Sequence, residues 1–519
     1  MAEQRQIISK EELDQQLRNR ISLEYSYSDR IIRSKEINYP IQLQHRIRHN
    51  PGTYIVSLLF SNCVFNEDVD IGSYENAGSI EFKNCTFNKS ISIDFANVAF
   101  SGDCIFNGNL IIKLTQQDSV DISGLIVHGT FKVLGSARQI IIRNINHEQP
   151  KADREVIIAA DSNNILAREI VGKSVRISSD VNSGTLELKR IIATELSIGS
   201  SILNGQMTVM ECIVEKFAII NFDGDPGSLV ISDPNINQMH FPIGALKRAS
   251  ITGGTINDLE LSGSNEAGYI LDIEKTTINN LRFEKVFNNG LLTLRELSVL
   301  YGGLVSIKSS NLGKTDFIYC NFSKAVLEFE NSKVTEAFFS ETEFPKRVLI
   351  GGKKNYGQAQ LAFGQLATAF QKQGDNIRAL EYTSREVDAH YRAIRWFSRN
   401  FFQKLNLWLN AVSNNFGRDW VRGVIFSFGV GLLFFCLLLI STDKYSWGLP
   451  TFDLNMLPAY LKFMNPLRFF ELETLFRNTP AADTLTLNEY SYLADFGGRV
   501  FVAYGYYQTI QAFRRFGRK

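Results

Sequence analysis

Three copies of Cys-x-Phe-Asn, at Cys63–Asn66, Cys85–Asn88 and Cys104–Asn107, each lead into alternating apolar residues. Four and six positions after each Phe stand aliphatic residues: Val69 and Ile71, Ile91 and Ile93, Leu110 and Ile112. The frame, apolar-x-x-x-apolar-x-apolar, returns outside the Cys-x-Phe-Asn motif. Val127 leads to Phe131 and Val133, Val171 to Val175 and Ile177, and Ile192 to Leu196 and Ile198. Leu203 leads to Met207 and Val209, Ile213 to Phe217 and Ile219, and Phe344 to Val348 and Ile350. The leading residues fall ten or eleven positions apart between 192 and 213, and often near twenty-two elsewhere. A short alternating strand buries one face only, so a fixed period of this size describes a coil that stacks on copies of itself.

Two such units make one coil of about twenty to twenty-two residues, which suits a right-handed β-helix. A left-handed hexapeptide coil would repeat an apolar residue every six positions, and the chain does not. The lone lead residue, beyond a turn, is expected to point inward with its strand. Asn84, Asn88, Asn97, Asn107, Gly108, Asn182, Gly184, Gly253, Gly254, Asn279 and Asn331 crowd the gaps. These residue types tolerate the left-handed backbone that corners demand. The frame lapses around 140–160 and 222–250, where Asp225-Pro226-Gly227 and Asp233-Pro234 mark loops.

From Ser310 to Ile350 apolar leads recur at Leu312, Phe322, Val334 and Phe344, and Phe322/Leu327 and Phe339/Phe344 are each five apart. On these residues the chain resembles degenerate pentapeptide-repeat proteins. The resemblance covers about two-thirds of the chain, although the Ala-Asp/Asn-Leu consensus is rarely met, and it implies a right-handed quadrilateral β-helix.

The charge balance, 55 basic against 54 acidic residues, gives no global field for a nucleic acid partner. Six scattered cysteines offer neither a disulfide scaffold nor zinc spacing, and Cys63, Cys85 and Cys104 read as small apolar packing residues. Residues 1–50 read as a polar helical capping segment, with Ser9-x-x-Glu12 a cap for its first helix. They lack the apolar core of a signal peptide, so the solenoid, residues 51–352, is expected in the cytoplasm, where thiols stay reduced.

Helical periodicity replaces alternation after Gly351-Gly352, and residues 353–410 read as a helical hairpin neck. One helix is predicted from Tyr356 to Gln373, stopped by Gly374; Asp375 caps a second with a stripe at Ile377, Leu380, Ser384, Val387, Tyr391 and Ile394. Leu366–Val387, with Lys372-Gln373-Gly374-Asp375 and Ala379-Leu380-Glu381-Tyr382, resembles a single tetratricopeptide hairpin. One hairpin cannot bury its faces alone. It either caps the solenoid or pairs with copies of itself.

Residues 411–519 read as a membrane domain. Gly423 to Ile440 carries eighteen uncharged residues, about 27 Å of helix and close to the thickness of a bilayer's hydrocarbon. A span is set at 421–441, an extracytoplasmic loop at 442–490, and a second span at about 493–513. Arg392, Arg395, Arg399, Lys404, Arg418 and Arg422 upstream put that side in the cytoplasm, and Arg514 and Arg515 hold the C-terminus there. Trp420, Arg422, Phe426, Phe434, Phe435 and Trp447 complete the expected anchor, and Trp408 sits where an interfacial aromatic would. Tyr490–Phe513 includes Asp495, Arg499, Gln508 and Gln511, so it either spans or lies in the interface; Leu454–Phe470, with Pro458 and Pro466, reads as interfacial or re-entrant. Ser413-Asn414-Asn415-Phe416-Gly417 and Tyr507-Gln508-x-x-Gln511-Ala512-Phe513-Arg514-Arg515 resemble the C-terminal region of bacterial membrane proteins with pentapeptide-like repeats, a family with no established activity.

Two functional readings follow. One is a scaffold or sensor in the inner, cytoplasmic membrane that offers its solenoid to a protein partner. The other is a homo-oligomeric two-span channel or membrane-perturbing effector lined by Asp495, Arg499, Gln508 and Gln511, since polar groups inside a membrane are functional suspects. An enzyme is not expected: Asp94, Asp121, Asp180 and Glu187 form no set, and His45, His49, His128, His147, His240 and His390 are dispersed. No cofactor is implied, and Gly351-Gly352-Lys353-Lys354 lacks the parts of a P-loop.

Overall fold

In the computed structural model of the chain, Phe65 stacks on Phe87 and Phe87 on Phe106, with ring centroids 4.6 and 4.8 Å apart. That is the spacing of neighbouring strands in a sheet, and it means the three motif copies lie in register on consecutive coils. The structure describes residues 6–18, 30–33, 35–43, 58–72, 80–94, 98–146, 154–178, 184–200, 205–222, 227–345, 348–349, 355–396, 399–442, 456–468, 472–476 and 487–517. It divides into two compact units, Met1–Arg347 and Val348–Lys519.

The first unit is a right-handed parallel β-solenoid of about 11 turns. Paired strands lie about 21 or 22 residues apart, as Thr185 with Gln206 and Ile213 with Asn235. Val175, Leu196, Phe217, Met239, Leu259, Leu281, Val305 and Leu327 follow one another down a single inward column, all buried. Strands also begin before residue 51. Arg30–Arg33, Lys35–Ile37 and Ile41–Leu43 pair into the same sheets, because Ile32, Ile37 and Ile41 already supply the inward set. Within that segment α1 (Lys10–Arg18) is capped by Ser9, whose Oγ accepts from the Glu12 amide at 3.1 Å.

The coils turn a recurring corner through left-handed residues. Asn62, Asn84, Gly102, Gly124, Asn144, Glu169, Arg190, Glu211, Asp233, Gly253, Lys275, Glu296, Tyr319 and Glu341 all have positive φ. For a non-glycine residue this costs about 1–2 kcal/mol. What offsets it is continuity of the ladder: the corner amides of Arg190, Glu211, Lys275 and Tyr319 donate to Met210, Ser232, Arg295 and Ser340 carbonyls of the next coil at 2.9–3.0 Å.

The lead residues divide. Val127 and Val171 point inward as expected, but Ile192 and Ile213 are 38 and 50 % exposed. There the step into the following strand shortens from four residues to three, so Ala193 and Val214 take the inward place, as do Ile236, Ile256 and Ile278 in later coils.

The second unit is helical. Asn355 caps α2 (Tyr356–Lys372), Gly374 turns at φ +81°, and Asp375 caps α3 (Asn376–Ala393) by accepting from the Arg378 amide. The two helices meet through Ala359, Ala362, Phe363, Leu366 and Phe370, with Phe370 stacked 5.3 Å from Tyr382. The stripe predicted on α3 holds only in part: Ser384 is buried as expected, but Ile377 is 73 % exposed and Ala379, Tyr382 and Ala389, off the stripe, are buried. Small residues let the backbones approach where Ile and Leu were expected to fill the contact.

Next come α4 (Phe401–Asn414), α5 (Trp420–Ile440), α6 (Leu457–Phe463), α7 (Glu473–Phe476) and α8 (Glu489–Gly517). Helix α5 is the one described helix long and apolar enough to cross a membrane. Helix α8 runs antiparallel along it, with Ser491 on Ser441, Gly498 near Phe434, Gly505 on Ser427 and Thr509 on Gly423. A Cβ at Gly505 would sit 2.3 Å from Ser427 Oγ, so close approach requires glycine there. The connection folds back onto the pair: Tyr460 Oη donates to the Phe428 carbonyl at 2.7 Å, and Tyr506 Oη to that of Met464 at 3.0 Å. Met456, Ala459, Phe463, Leu472, Leu475 and Phe476 form one core with Phe435, Leu438, Leu439 and Val502.

Candidate functional site

Inside the helical unit three charged side chains meet. Asp495, one turn before Arg499 on α8, accepts from Arg499 Nε at 2.8 Å and pairs through its other oxygen with Arg468, from the stretch after α6. Arg499 Nη1 also donates to the Arg468 carbonyl at 2.6 Å, and the Arg468 guanidinium lies 4.5 Å from the Phe463 ring centre. Asp495 and Arg499 are buried, and the three side chains are each at most 12 % exposed. The spacing of Asp495 and Arg499 was readable in the sequence; Arg468 was not, since it arrives from a stretch with no helical phase relative to α8.

Gln508 is also buried, and its Oε1 accepts from Asn414 Nδ2 at 2.6 Å. Asn414 Oδ1 in turn accepts from the Gly417 amide at 2.8 Å, and Ser384 Oγ donates to the Asn415 carbonyl at 3.2 Å. Asn415, Phe416 and Gly417 are consecutively left-handed. The Ser413–Gly417 motif thus ties α3, α4 and α8 together at the entrance to α5, a role only the tertiary contacts reveal. Gln511 is half-buried.

Of the anchor residues, Trp420 is exposed and meets Phe513 edge-on at 6.2 Å, while Arg422 is exposed and pairs with Asp419 at 3.2 Å. Phe426 packs on Tyr504 and Phe434 on Phe501, whereas Phe435 is fully buried against Tyr460, Phe463 and Phe476. Arg514 is exposed; the Arg515 side chain and Trp447 lie outside the described residues. Around the helix pair, Ile425, Phe428, Leu432, Leu433, Leu437, Leu493, Phe496, Val500 and Ile510 all face outward.

On the solenoid, the shortened step leaves a groove of about 900 Å³ that crosses successive coils. One wall carries Ile192, Ile213, Asn235, Thr255 and Thr277, and the other Lys173, Thr194, Glu215, Asn237, Asn257 and Asn279. Asn257 Nδ2 donates to Asn237 Oδ1 at 2.9 Å, a ladder that fixes the amides at coil spacing. No sequence signal short of the exact corner length could have found this groove.

The cysteines serve packing. Cys63, Cys85, Cys104, Cys212 and Cys320 are buried and in no disulfide, and all but Cys104 directly follow a left-handed corner residue. The Sγ of Cys85, Cys104 and Cys320 donates to Phe60, Phe82 and Leu294 carbonyls of the preceding coil at 3.2–3.4 Å. Thr342, one coil after Cys320, makes the same bond to the Phe317 carbonyl. Hydrogen bonding with Cys63, and then burial, pushes the Cys85 thiol up; burial pushes Cys104 up, and Cys212 and Cys320 up to about 11. The motif's Asn residues form a surface ladder, Asn107 to Asn88 at 2.7 Å and Asn88 to Asn66 at 2.5 Å.

The acidic residues are engaged in ordinary surface pairs: Asp121 with Arg143, Glu187 with Arg168, and Asp94 with Thr115. His240 lies between Glu260 and Ser262, His128 beside Arg154, and His390 between Gln360 and Gln403. Asp180, His45, His49 and His147 lie outside the described residues. Among the described residues no three His, Cys, Asp or Glu side chains come together as a metal site would need. No protein-family model matches the chain, and neither a curated protein nor a solved structure matches it.

Proposed function

We propose that this protein is a membrane-anchored scaffold or sensor, whose solenoid offers its groove to an extended segment of a protein partner. The observation that carries it is a reversal of polarity between the two units. Among the described residues the solenoid buries no charged side chain, its buried polar residues being Ser, Thr and Asn alone; in the helical unit Asp495, Arg499, Gln508, Asn414, Ser427, Ser441 and Ser491 are buried while Leu433, Leu493, Phe496 and Ile510 face out. An apolar surroundings for the helices and water for the solenoid account for both patterns.

On this reading α5 and α8 cross the bilayer as a hairpin and the stretch 456–476 is re-entrant. The solenoid and both termini lie in the cytoplasm, as the basic residues before α5 and after α8 favour. The bilayer is the inner membrane of a bacterium, consistent with the pentapeptide-like resemblance. The channel reading draws less support, because Asp495, Arg499 and Gln508 are matched to partners within one protomer. Fusion of a cytoplasm-active reporter after Lys519 and, separately, within 445–485 tests the topology: activity at the first site alone is expected, and activity at both refutes the hairpin. A reproducible current from the reconstituted chain would overturn the scaffold in favour of the pore.

A further inference from the structure

Helix α4 is inside out for a helix in water. It buries Lys404, Ser413 and Asn414 and exposes Phe401, Phe402, Trp408 and Val412. Phe402 is 80 % exposed and Lys404 only 5 %. Phe401, Leu405, Trp408 and Val412 recur at gaps of four, three and four, one stripe on the helix. Trp396, just before α4, adds a further exposed aromatic ring.

The orientation is fixed at both ends. Near the start, Lys404 Nζ donates to the Tyr391 carbonyl and lies 3.7 Å from the centre of the Tyr391 ring. Desolvation lowers its pKa, against the pull of Asp388. At the far end Asn414 is bonded to Gln508, and the left-handed residues Asn415 to Gly417 break the helix just before Asp419 caps α5. The aromatic stripe therefore cannot turn inward without breaking a buried lysine and a buried amide.

Charge supplies the partner. From Asp388 to Arg422 the chain carries six basic and two acidic residues, and Arg395, Arg399, Arg418 and Arg422 are exposed. Aromatic residues on one face, arginines beside it and an adjoining span form the pattern of a helix lying in a bilayer interface. We infer that α4 lies in the plane of the membrane where α5 enters it, with Phe402, Trp408 and Val412 among the upper acyl chains and the arginines on anionic lipid headgroups.

This inference rests on α5 crossing the bilayer, so the test reports on both. The four tryptophans are Trp396, Trp408, Trp420 and Trp447. Two single-tryptophan forms of the full chain, W396F/W420F/W447F and W396F/W408F/W447F, are reconstituted in phosphatidylcholine vesicles with or without phosphatidylglycerol, the chains brominated either near the headgroup or near the terminal methyl. Trp408 should be quenched about twofold more by shallow than by deep bromine, and its quenching should weaken without phosphatidylglycerol. Trp408 unquenched with Trp420 quenched overturns the inference and leaves the span standing; disulfide capture between copies through F402C would then assign the face to self-association. Equal deep and shallow quenching of Trp408 overturns it in favour of a buried crossing, and indifference to phosphatidylglycerol overturns the headgroup contact. Failure of both tryptophans to respond overturns the span along with it.

Discussion

Asp495→Asn is the sharpest perturbation of the helical unit. Asp495 is one carboxylate between two guanidiniums, Arg468 and Arg499, in a place at most 12 % exposed. The amide keeps the size and one acceptor but strands two like charges side by side. Removing one partner of a buried ion pair costs about 3–5 kcal/mol, because the remaining charge stays desolvated. Arg468→Met should cost less, since Asp495 and Arg499 remain as a neutral pair 2.8 Å apart. Combining the two changes leaves one unpaired arginine where Asp495→Asn alone leaves two, so the double variant should recover about 1–3 kcal/mol relative to additivity. The exposed pair Arg392–Asp388 is the control, and Asp388→Asn should cost under about 1 kcal/mol. All four tryptophans lie beyond residue 348, so their fluorescence follows the second unit alone. Titrating the reconstituted chain from mild micelles into dodecyl sulfate gives each free energy. A cost under about 1 kcal/mol for Asp495→Asn, or a double variant worse than the sum, would refute a closed buried triad.

Gly505→Leu should separate α5 from α8 and cost about 1–3 kcal/mol by the same titration, whereas Gly429→Leu, with open space around its Cβ position, should be near neutral. The buried thiols should resist alkylation in the folded chain at pH 8.5 and all six should react in denaturant, as mass spectrometry reads directly. With Cys212 and Cys320 held at about 11 when folded and near 9 when unfolded, the unfolded state loses protons first. The contribution of these two thiols to stability should therefore fall as pH rises from 9 and level off near 11, and Cys320→Thr, which copies Thr342, should reduce the slope over that range in denaturant titrations followed by far-ultraviolet dichroism. Phe87→Ala removes the ring between Phe65 and Phe106 and should cost about 3–5 kcal/mol in the same assay.

The coil was legible because alternation and period are properties of residue type. Phe65, Phe87 and Phe106 declare an inward column by spacing alone, and Asp375 and Gly374 declare a cap and a stop between helices. The corners were legible only where they happen to be Asn or Gly. Glu169, Arg190, Lys275, Glu296, Tyr319 and Glu341 hold the same left-handed corner with no compositional sign, and at Arg190, Lys275, Glu296 and Tyr319 the stacked amide bond bears the cost. A one-residue change in the following step was invisible for the same reason, so Ile192 and Ile213 read as core and stand instead on the groove wall. In the helical unit Asp495, Arg499 and Gln508 were singled out as polar residues in an apolar stretch. Their partners Arg468 and Asn414 were not, because nothing in a linear pattern says which loop returns to which helix.

The two units satisfy backbone and polar groups by opposite means, and this explains why their sequences look so different. A stacked coil needs each inward side chain to resemble the one above it, so Cys, Thr, Leu and Ile can exchange along one column provided each fills the corner; Cys320 and Thr342 even make the same bond one coil apart. Variation there is cheap in free energy, and the repeat degrades without the fold being lost. Helices α5 and α8 have no such column. Their contact is set by a few small residues, Gly423, Ser427, Gly498 and Gly505, and by polar pairs that only one partner can complete. On the proposed membrane reading, burial of Leu or Phe between helices gains little over exposing it to lipid, so packing closeness and hydrogen bonds would decide the association. The stretch that looks least regular in the sequence is thus the one whose individual residues are most constrained.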